Sequence, residues 1–387
     1  MNIIWAVIFF LLLSLGITYV SWHIWQILPI GILAKWVVVS LLLACIVCFF
    51  TNFFVGLDYY PMAVSKFLYE LGNSSIFITL YLAMVFIILD IGRIAHLIPK
   101  SFMFGSRLGT ASIFILVVAI FIYGYFNYER KERVQLNVET AKPLKRPLRV
   151  VMMSDLHLGY HNTRADFHKW VSDIMAENAD LILIAGDVID GSIRALLEQD
   201  MATEFRRLKV PVYACLGNHE YYSGRKEAIQ FYKDAGIHLL VDEAEEVELR
   251  GDTILLIGRD DRVNENRKSV KELLSGFSNN RYVILLDHQP YHLEEAEQAG
   301  VDFQLSGHTH YGQVWPISWI EEAIYEKAFG ALKKGDTQYY ISSGIGIWGA
   351  KFRIGTRSEY VVADIRSVSE KRQTQSKEPL QTTFATI

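Results

Sequence analysis

Hydrophobic positions follow two regimes along this chain. Residues 3–20, 36–57, 71–89 (running on to 96) and 108–128 are apolar stretches, charged only toward the end of the third. Each approaches or exceeds the roughly 20 residues that cross a bilayer. Trp22, Trp25, Trp36, Tyr59, Tyr60 and Tyr128 stand near their ends, where amphipathic rings settle at a membrane interface. The first stretch lacks the basic flank and small-residue cleavage site of a secretory signal. The pattern therefore predicts a transmembrane unit over 1–128 with helices at about 3–20, 36–57, 71–96 and 108–128.

From residue 148 the pattern changes to short β-branched runs separated by amphipathic segments. Strands are expected at 148–153, 181–185, 210–216, 247–250, 253–257, 282–286, 301–305, 339–342 and 359–365, and helices at 166–178, 192–208 and 225–235. This alternation implies an α/β layered domain with substantially parallel sheets over 148–366. Residues 129–147 are charged, contain Pro143 and Pro147, and read as a juxtamembrane linker; 367–387 reads as a polar, disordered tail.

Charge adds orientation. With four crossings, Lys66, Arg130, Lys131, Arg133, Lys142, Lys145, Arg146 and Arg149 share one side, against Lys35, Lys100 and Arg107 on the other. The excess of basic residues places the second half of the chain in the cytoplasm. A net charge of -4 and the lack of a basic, aromatic-interleaved groove exclude a nucleic-acid surface. Three cysteines, Cys45, Cys48 and Cys215, make no disulfide framework. Asp90 and Arg93, one helical turn apart, read as a helix emerging into headgroups or as an intramembrane functional pair.

The candidate chemistry lies in five blocks, each directly after a strand-like run: Asp155-Leu156-His157, Gly186-Asp187, Gly217-Asn218-His219-Glu220, Asp287-His288 and Gly307-His308-Thr309-His310. Carboxylate, imidazole and amide donors without thiolates suit Mn, Fe, Zn or Mg rather than a structural zinc. Asp155, His157, Asp187, Asn218, His288, His308 and His310 exceed the needs of one mononuclear site and point to two divalent metal ions. Asp187, alone in its block, is the natural bridge. The Asp-x-His and His-x-His spacings place paired donors on one side of an extended segment, and Gly159, Gly186, Gly217 and Gly307 are expected to take the sharp turns.

Together these blocks resemble the calcineurin-like metallophosphoesterases, in the family's motif order, over roughly 148–365. Gly312-Gln313, the segment Ser343-Gly344-Ile345-Gly346, Arg353 and Gly355 are similar to the bacterial membrane-associated branch, which includes phosphodiesterase-like proteins and pyrophosphatases acting on UDP-2,3-diacylglucosamine. The resemblance implies a four-layer β-sandwich flanked by helices. It also implies a first metal held by Asp155, His157, Asp187 and His310, and a second held by Asp187, Asn218, His288 and His308. A bridging hydroxide would attack phosphorus, and His219 would hold phosphate and protonate the leaving oxygen. Tyr311 departs from the branch, which commonly has Gly there, so a phenol is expected to narrow the site or touch substrate.

The resulting expectation is a dimetal phosphohydrolase anchored in a bacterial inner membrane. Its partners would be the lipid bilayer and a small-molecule or lipid-linked phosphate. A membrane sensor that binds metal or phosphate without turnover is the alternative. Asp190 is expected to cap the helix near Ser192, Asp260, Asp261 and Arg262 to form a solvated turn, and His161, His168, His238 and His292 to stand outside the ligand set. Trp315, Trp319, Ile320 and Ile324 read either as core or as an apolar edge suited to lipid.

Overall fold

A computed structural model of the chain describes residues 3–278 and 280–368, with side chains from 10 onward. Two compact units emerge, 1–129 with 349–354, and 130–348 with 355–387. Almost all of the tail expected over 367–387 lies outside the described residues.

The first unit is built on four long helices. These are α1 (Ile3–Ile27), α2 (Ile32–Phe54), α3 (Met62–Ile94) and α5 (Arg107–Glu129), with the short α4 (Lys100–Met103) before the last. All four long helices are apolar and long enough to span a bilayer. α1 runs seven residues beyond the expected 20. α2 starts four residues before the expected 36, and Lys35 reaches back to donate to Trp25 O at 2.7 Å, its charge held at the helix end. α3 starts nine residues before the expected 71, immediately after Pro61, and takes in Lys66 and Glu70, which pair at 3.8 Å along one helical face. At 33 residues it is about 50 Å long, more than the hydrocarbon thickness requires.

Asp90 is not simply an emerging charge. It accepts from Tyr19 Oη at 2.8 Å and faces His23 Nε2 at 3.0 Å, tying α3 to α1, while Arg93 stays 3.9 Å away. The segment 349–354 belongs to this helical unit. Gly349 N donates to Tyr69 Oη, Arg353 N to Gly124 O and Asn127 Nδ2 to Arg353 O, each at 2.9 Å, and Phe352 packs edge-on against Phe121.

The second unit is mixed α/β, built on two six-stranded sheets. The first contains β1 (Lys131–Thr140), β2 (Leu148–Met153), β3 (Leu181–Ala185), β4 (Val212–Cys215), β5 (His238–Leu239) and β12 (Ser358–Ser367), in the order β1-β12-β2-β3-β4-β5. The second contains β6 (Glu243–Leu249), β7 (Asp252–Gly258), β8 (Val283–Leu286), β9 (Phe303–Ser306), β10 (Gly330–Lys334) and β11 (Thr337–Ile341), ordered β10-β11-β9-β8-β7-β6. β2 to β5 run parallel, as do β7 to β9.

The expected linker is in large part β1, parallel to β12 along its whole length. Val134, Leu136 and Val138 alternate with Arg133, Gln135 and Asn137, and the alternating face packs on the core although the flanking charge suggests an exposed connector. Between the sheets one continuous core joins Val150, Met152, Leu181 and Leu183 to Ile254, Leu256, Ile284 and Phe303. Outside the second sheet, Leu255, Ile257, Val283 and Leu285 are covered by Val270, Leu273, Leu293 and Ala296. With both faces covered, the central strands read as continuous apolar runs rather than alternating ones.

Candidate metal centre

Five parallel strands end at one place. Asp155 and His157 follow β2, Asp187 follows β3, Asn218 follows β4, His288 follows β8, and His308 and His310 follow β9. The carboxyl ends of parallel strands are where open α/β sheets assemble sites, and here two sheets contribute.

The sharp turns fall on the donors themselves. Asp155, His157, Asp187, His308 and His310 have φ of 53°, 43°, 54°, 71° and 48°, a left-handed region that non-glycine residues enter at a cost in strain. Of the four glycines expected to turn, only Gly186 has positive φ, at 76°. Gly217 and Gly307 serve by being small. A Cβ on Gly217 would run into the Asp187 carboxylate, and one on Gly307 into that of Asp155.

Asp155, His157 and His310 bring donor atoms within 4.8 Å of one another, as do Asp187, His288 and His308, and also His157, Asp187 and His219. His157 Nε2 and His310 Nε2 converge to 3.1 Å. Asp187 Oδ2 faces His288 Nε2 at 3.1 Å and His157 Nε2 at 3.7 Å, while its Oδ1 accepts from His219 N at 2.9 Å. Asn218 Oδ1 is buried and without a hydrogen-bond partner. A buried acceptor left unpaired is costly, and with converging imidazole and carboxylate donors it fits a divalent cation. His288 Nδ1 lies 2.7 Å from Ala185 O, which fixes its tautomer and leaves Nε2 for the site.

The electrostatics have the same origin. Burial opposes a charged His157, yet Asp155 and Asp190 outweigh it and hold its pKa up to about 10. His288 is raised well above its usual range because Asp187 overcomes burial. Conversely, burial favours neutral Asp155, Asp187 and Asp190, but the surrounding imidazoles hold all three below the usual carboxylate range. Burial and the neighbouring His288 bring His308 down to about 4. Without cations, the buried carboxylates keep protons on neighbouring histidines.

Several residues behave otherwise than expected. Asp190 does not cap the following helix, whose Ser192 hydroxyl accepts from Arg194 N. It is buried, with Oδ1 3.3 Å from His157 Nδ1 and 3.4 Å from His219 Nδ1, and with Oδ2 3.6 Å from His161 Nδ1. His161 is itself buried. Asp260 and Asp261 are buried rather than solvated: Asp260 accepts from Tyr221 Oη at 2.8 Å, and Asp261 receives Gln289 Nε2 at 2.9 Å on both oxygens. Asp287 turns to Arg259 and Arg267 at 3.2 and 2.9 Å. Tyr311 stacks on Phe329 and hydrogen-bonds Glu322 through its phenol.

Glu220 had no role in the sequence reading. Its carboxylate accepts backbone N–H groups from Asp187, Val188, Ile189 and Gly217 at 2.7–3.1 Å, binding the turn after β3 to the turn after β4. Its adjacency to His219 was the only signal. Trp319, Ile320 and Ile324 are exposed on the helix Ile317–Ile324, beside Trp315, so the apolar edge rather than a core position is what the fold builds.

Residues 148–312 match the family model described as calcineurin-like phosphoesterase. The chain is 29% identical over 271 residues to a Danio rerio transmembrane protein with metallophosphoesterase domain, a match covering 66% of this chain and 62% of that one. It is also 29% identical over 267 residues to a metallophosphoesterase of Aquifex aeolicus, covering 65% of this chain and 98% of the relative. Among solved structures, a 5'-nucleotidase precursor from Thermus thermophilus aligns at 16% identity with a TM-score of 0.37, covering 57% of this chain and 55% of that one.

Proposed function

We propose that this chain, which carries a calcineurin-like metallophosphoesterase domain, is a membrane-anchored phosphohydrolase cleaving a phosphodiester or pyrophosphate bond. The observation that carries the reading is Asp187, one carboxylate facing His157 on one side and His288 on the other. On this reading Asp155, His157, Asp187 and His310 hold one divalent cation, and Asp187, Asn218, His288 and His308 hold a second, drawn from Mn, Fe, Zn or Mg. Such a pair supplies Lewis acidity toward the phosphoryl oxygens and acidifies a water molecule.

The remaining work belongs to side chains. His219 donates a proton to the leaving oxygen. Asp190 beside its Nδ1 orients the ring, so that the imidazolium form presents Nε2–H as the donor. The hydrogen bond from His219 N to Asp187 fixes the acid relative to the shared ligand. The four spanning helices support a bilayer anchor, and the Lys and Arg distribution supports a cytoplasmic domain at a bacterial inner membrane. The exposed Trp319, Ile320 and Ile324 support a lipid-linked phosphate as substrate.

Detergent-purified full-length protein is expected to hydrolyse bis-p-nitrophenyl phosphate and a nucleotide pyrophosphate diester only with added divalent metal, and Asp187→Ala to abolish both activities. No metal-dependent turnover of either compound overturns the reading.

A further inference from the structure

The loop after β7 carries an arginine, Arg262, with no ion-pair partner among the described residues. Arg262 is partly buried, and its guanidinium carbon lies 4.0 Å from the ring centroid of Tyr291. Its Nη1 is shielded from solvent and has no hydrogen-bond partner among the described residues. Both preceding carboxylates are committed elsewhere, Asp260 to Tyr221 and Arg225, and Asp261 to Gln289. Arginine keeps its proton under all ordinary conditions, so a sheltered, unpaired N–H costs desolvation that only an acceptor can return.

The position of this guanidinium gives it a use. Tyr291 is 4.7 Å from Tyr325, and Tyr325 is 6.3 Å from the ring of His308 at the metal centre. An aromatic wall thus runs from His308 to Arg262. Burial keeps the Tyr325 phenol neutral, and Glu321, whose charge acts on Tyr325, is pushed by burial up to about 7. Neither gives Arg262 a fixed anion. Stacking on Tyr291 also restrains the guanidinium plane, which presents a fork suited to a phosphate or carboxylate.

We infer that Arg262, seated on Tyr291, receives a second anionic group of the substrate, separated from the scissile phosphate by the Tyr291–Tyr325 wall. This rests on the phosphohydrolase reading. It adds that the natural substrate is two-headed, with a phosphate or carboxylate remote from the bond that is cut.

The test uses full-length, Mn²⁺-loaded protein in detergent, turning over bis-p-nitrophenyl phosphate in the presence of inhibitors. These are straight-chain alkylphosphonates, α,ω-bisphosphonates and ω-carboxyalkylphosphonates of matched chain length. At least one two-headed inhibitor is expected to bind roughly tenfold more tightly than its one-headed counterpart. That ratio should fall to near one in Arg262→Ala and be partly kept in Arg262→Lys. The one-headed compounds, measured in every variant, report any damage to the metal centre itself. The better of the two tail chemistries names the remote group. The inference is overturned if no two-headed compound gains affinity, or if the gain survives in Arg262→Ala. Should the wild type fail to hydrolyse the ester, the phosphohydrolase reading fails, while the same affinity ratios measured by calorimetry on metal-loaded protein still decide the role of Arg262.

Discussion

Asp190 Oδ1 stands 3.4 Å from His219 Nδ1, so the histidine next to Asn218 faces a carboxylate beyond the end of another strand. The same oxygen lies 3.3 Å from His157 Nδ1. One buried carboxylate oxygen therefore faces both His157 and His219. Leaving-group dependence should reveal this. His219→Ala is expected to slow cleavage of an alkyl ester by roughly 10²–10⁴, and p-nitrophenyl ester cleavage far less, because a good leaving group needs little proton assistance. Asp190→Asn should show the same asymmetry in weaker form. Equal losses for both esters would remove His219 from the acid role.

Glu220 joins two turns through four backbone N–H donors. Glu220→Ala strands those donors in a buried site, at a cost of about 1–3 kcal/mol for each one left unsatisfied. Stability is expected to fall by at least about 3 kcal/mol in denaturant unfolding of the full-length protein. Glu220→Gln should also destabilise, since its NH₂ group faces donors. An unchanged unfolding midpoint for Glu220→Ala would show that water replaces the carboxylate.

The raised histidines make cation binding a proton-releasing event. His157 is held up to about 10 and His288 is raised, each by carboxylates that outweigh burial. Cations must displace those protons, so affinity should weaken as pH falls, and calorimetry in buffers of different ionisation enthalpy should record proton release at pH 7. The sign for stability is opposite to that of a paired carboxylate. With folded pKa above unfolded, the metal-free protein holds the His157 contribution in full below about 6.5 and loses it as pH rises toward 10. Chelated protein should therefore lose stability across that window while metal-loaded protein resists. Absence of proton release on loading would contradict this.

Gly217 and Gly307 border the carboxylates of Asp187 and Asp155 so closely that a methyl group displaces them. Gly307→Ala and Gly217→Ala are expected to retain the fold by circular dichroism while binding less than one full complement of metal in elemental analysis. Full metal content with unchanged affinity in both variants would refute the argument.

Much of this was legible along the chain because it is locally encoded. The four long helices follow from predominantly apolar composition, and the central strands from short β-branched runs that must be buried on both faces. Asp155, His157, Asp187, Asn218, His288, His308 and His310 stood out because donor side chains recur directly after those runs. Other features carry no local mark. Val134, Leu136 and Val138 look like a charged connector until β12 pairs with them from the far end of the chain.

Sequence by itself therefore determined which residues offer donors, in what order, and which segments are long and apolar enough to cross a bilayer, since composition and periodicity act over neighbouring residues. Only the tertiary structure decided what stands behind those donors. Asp190 and Glu220 gained their roles from turns brought together by different strands, and Asp261 from Gln289 after β8. Gly186 apart, the turns fell on the donors rather than on the expected glycines, because two sheets must bring their strand ends to one point and the donors must follow.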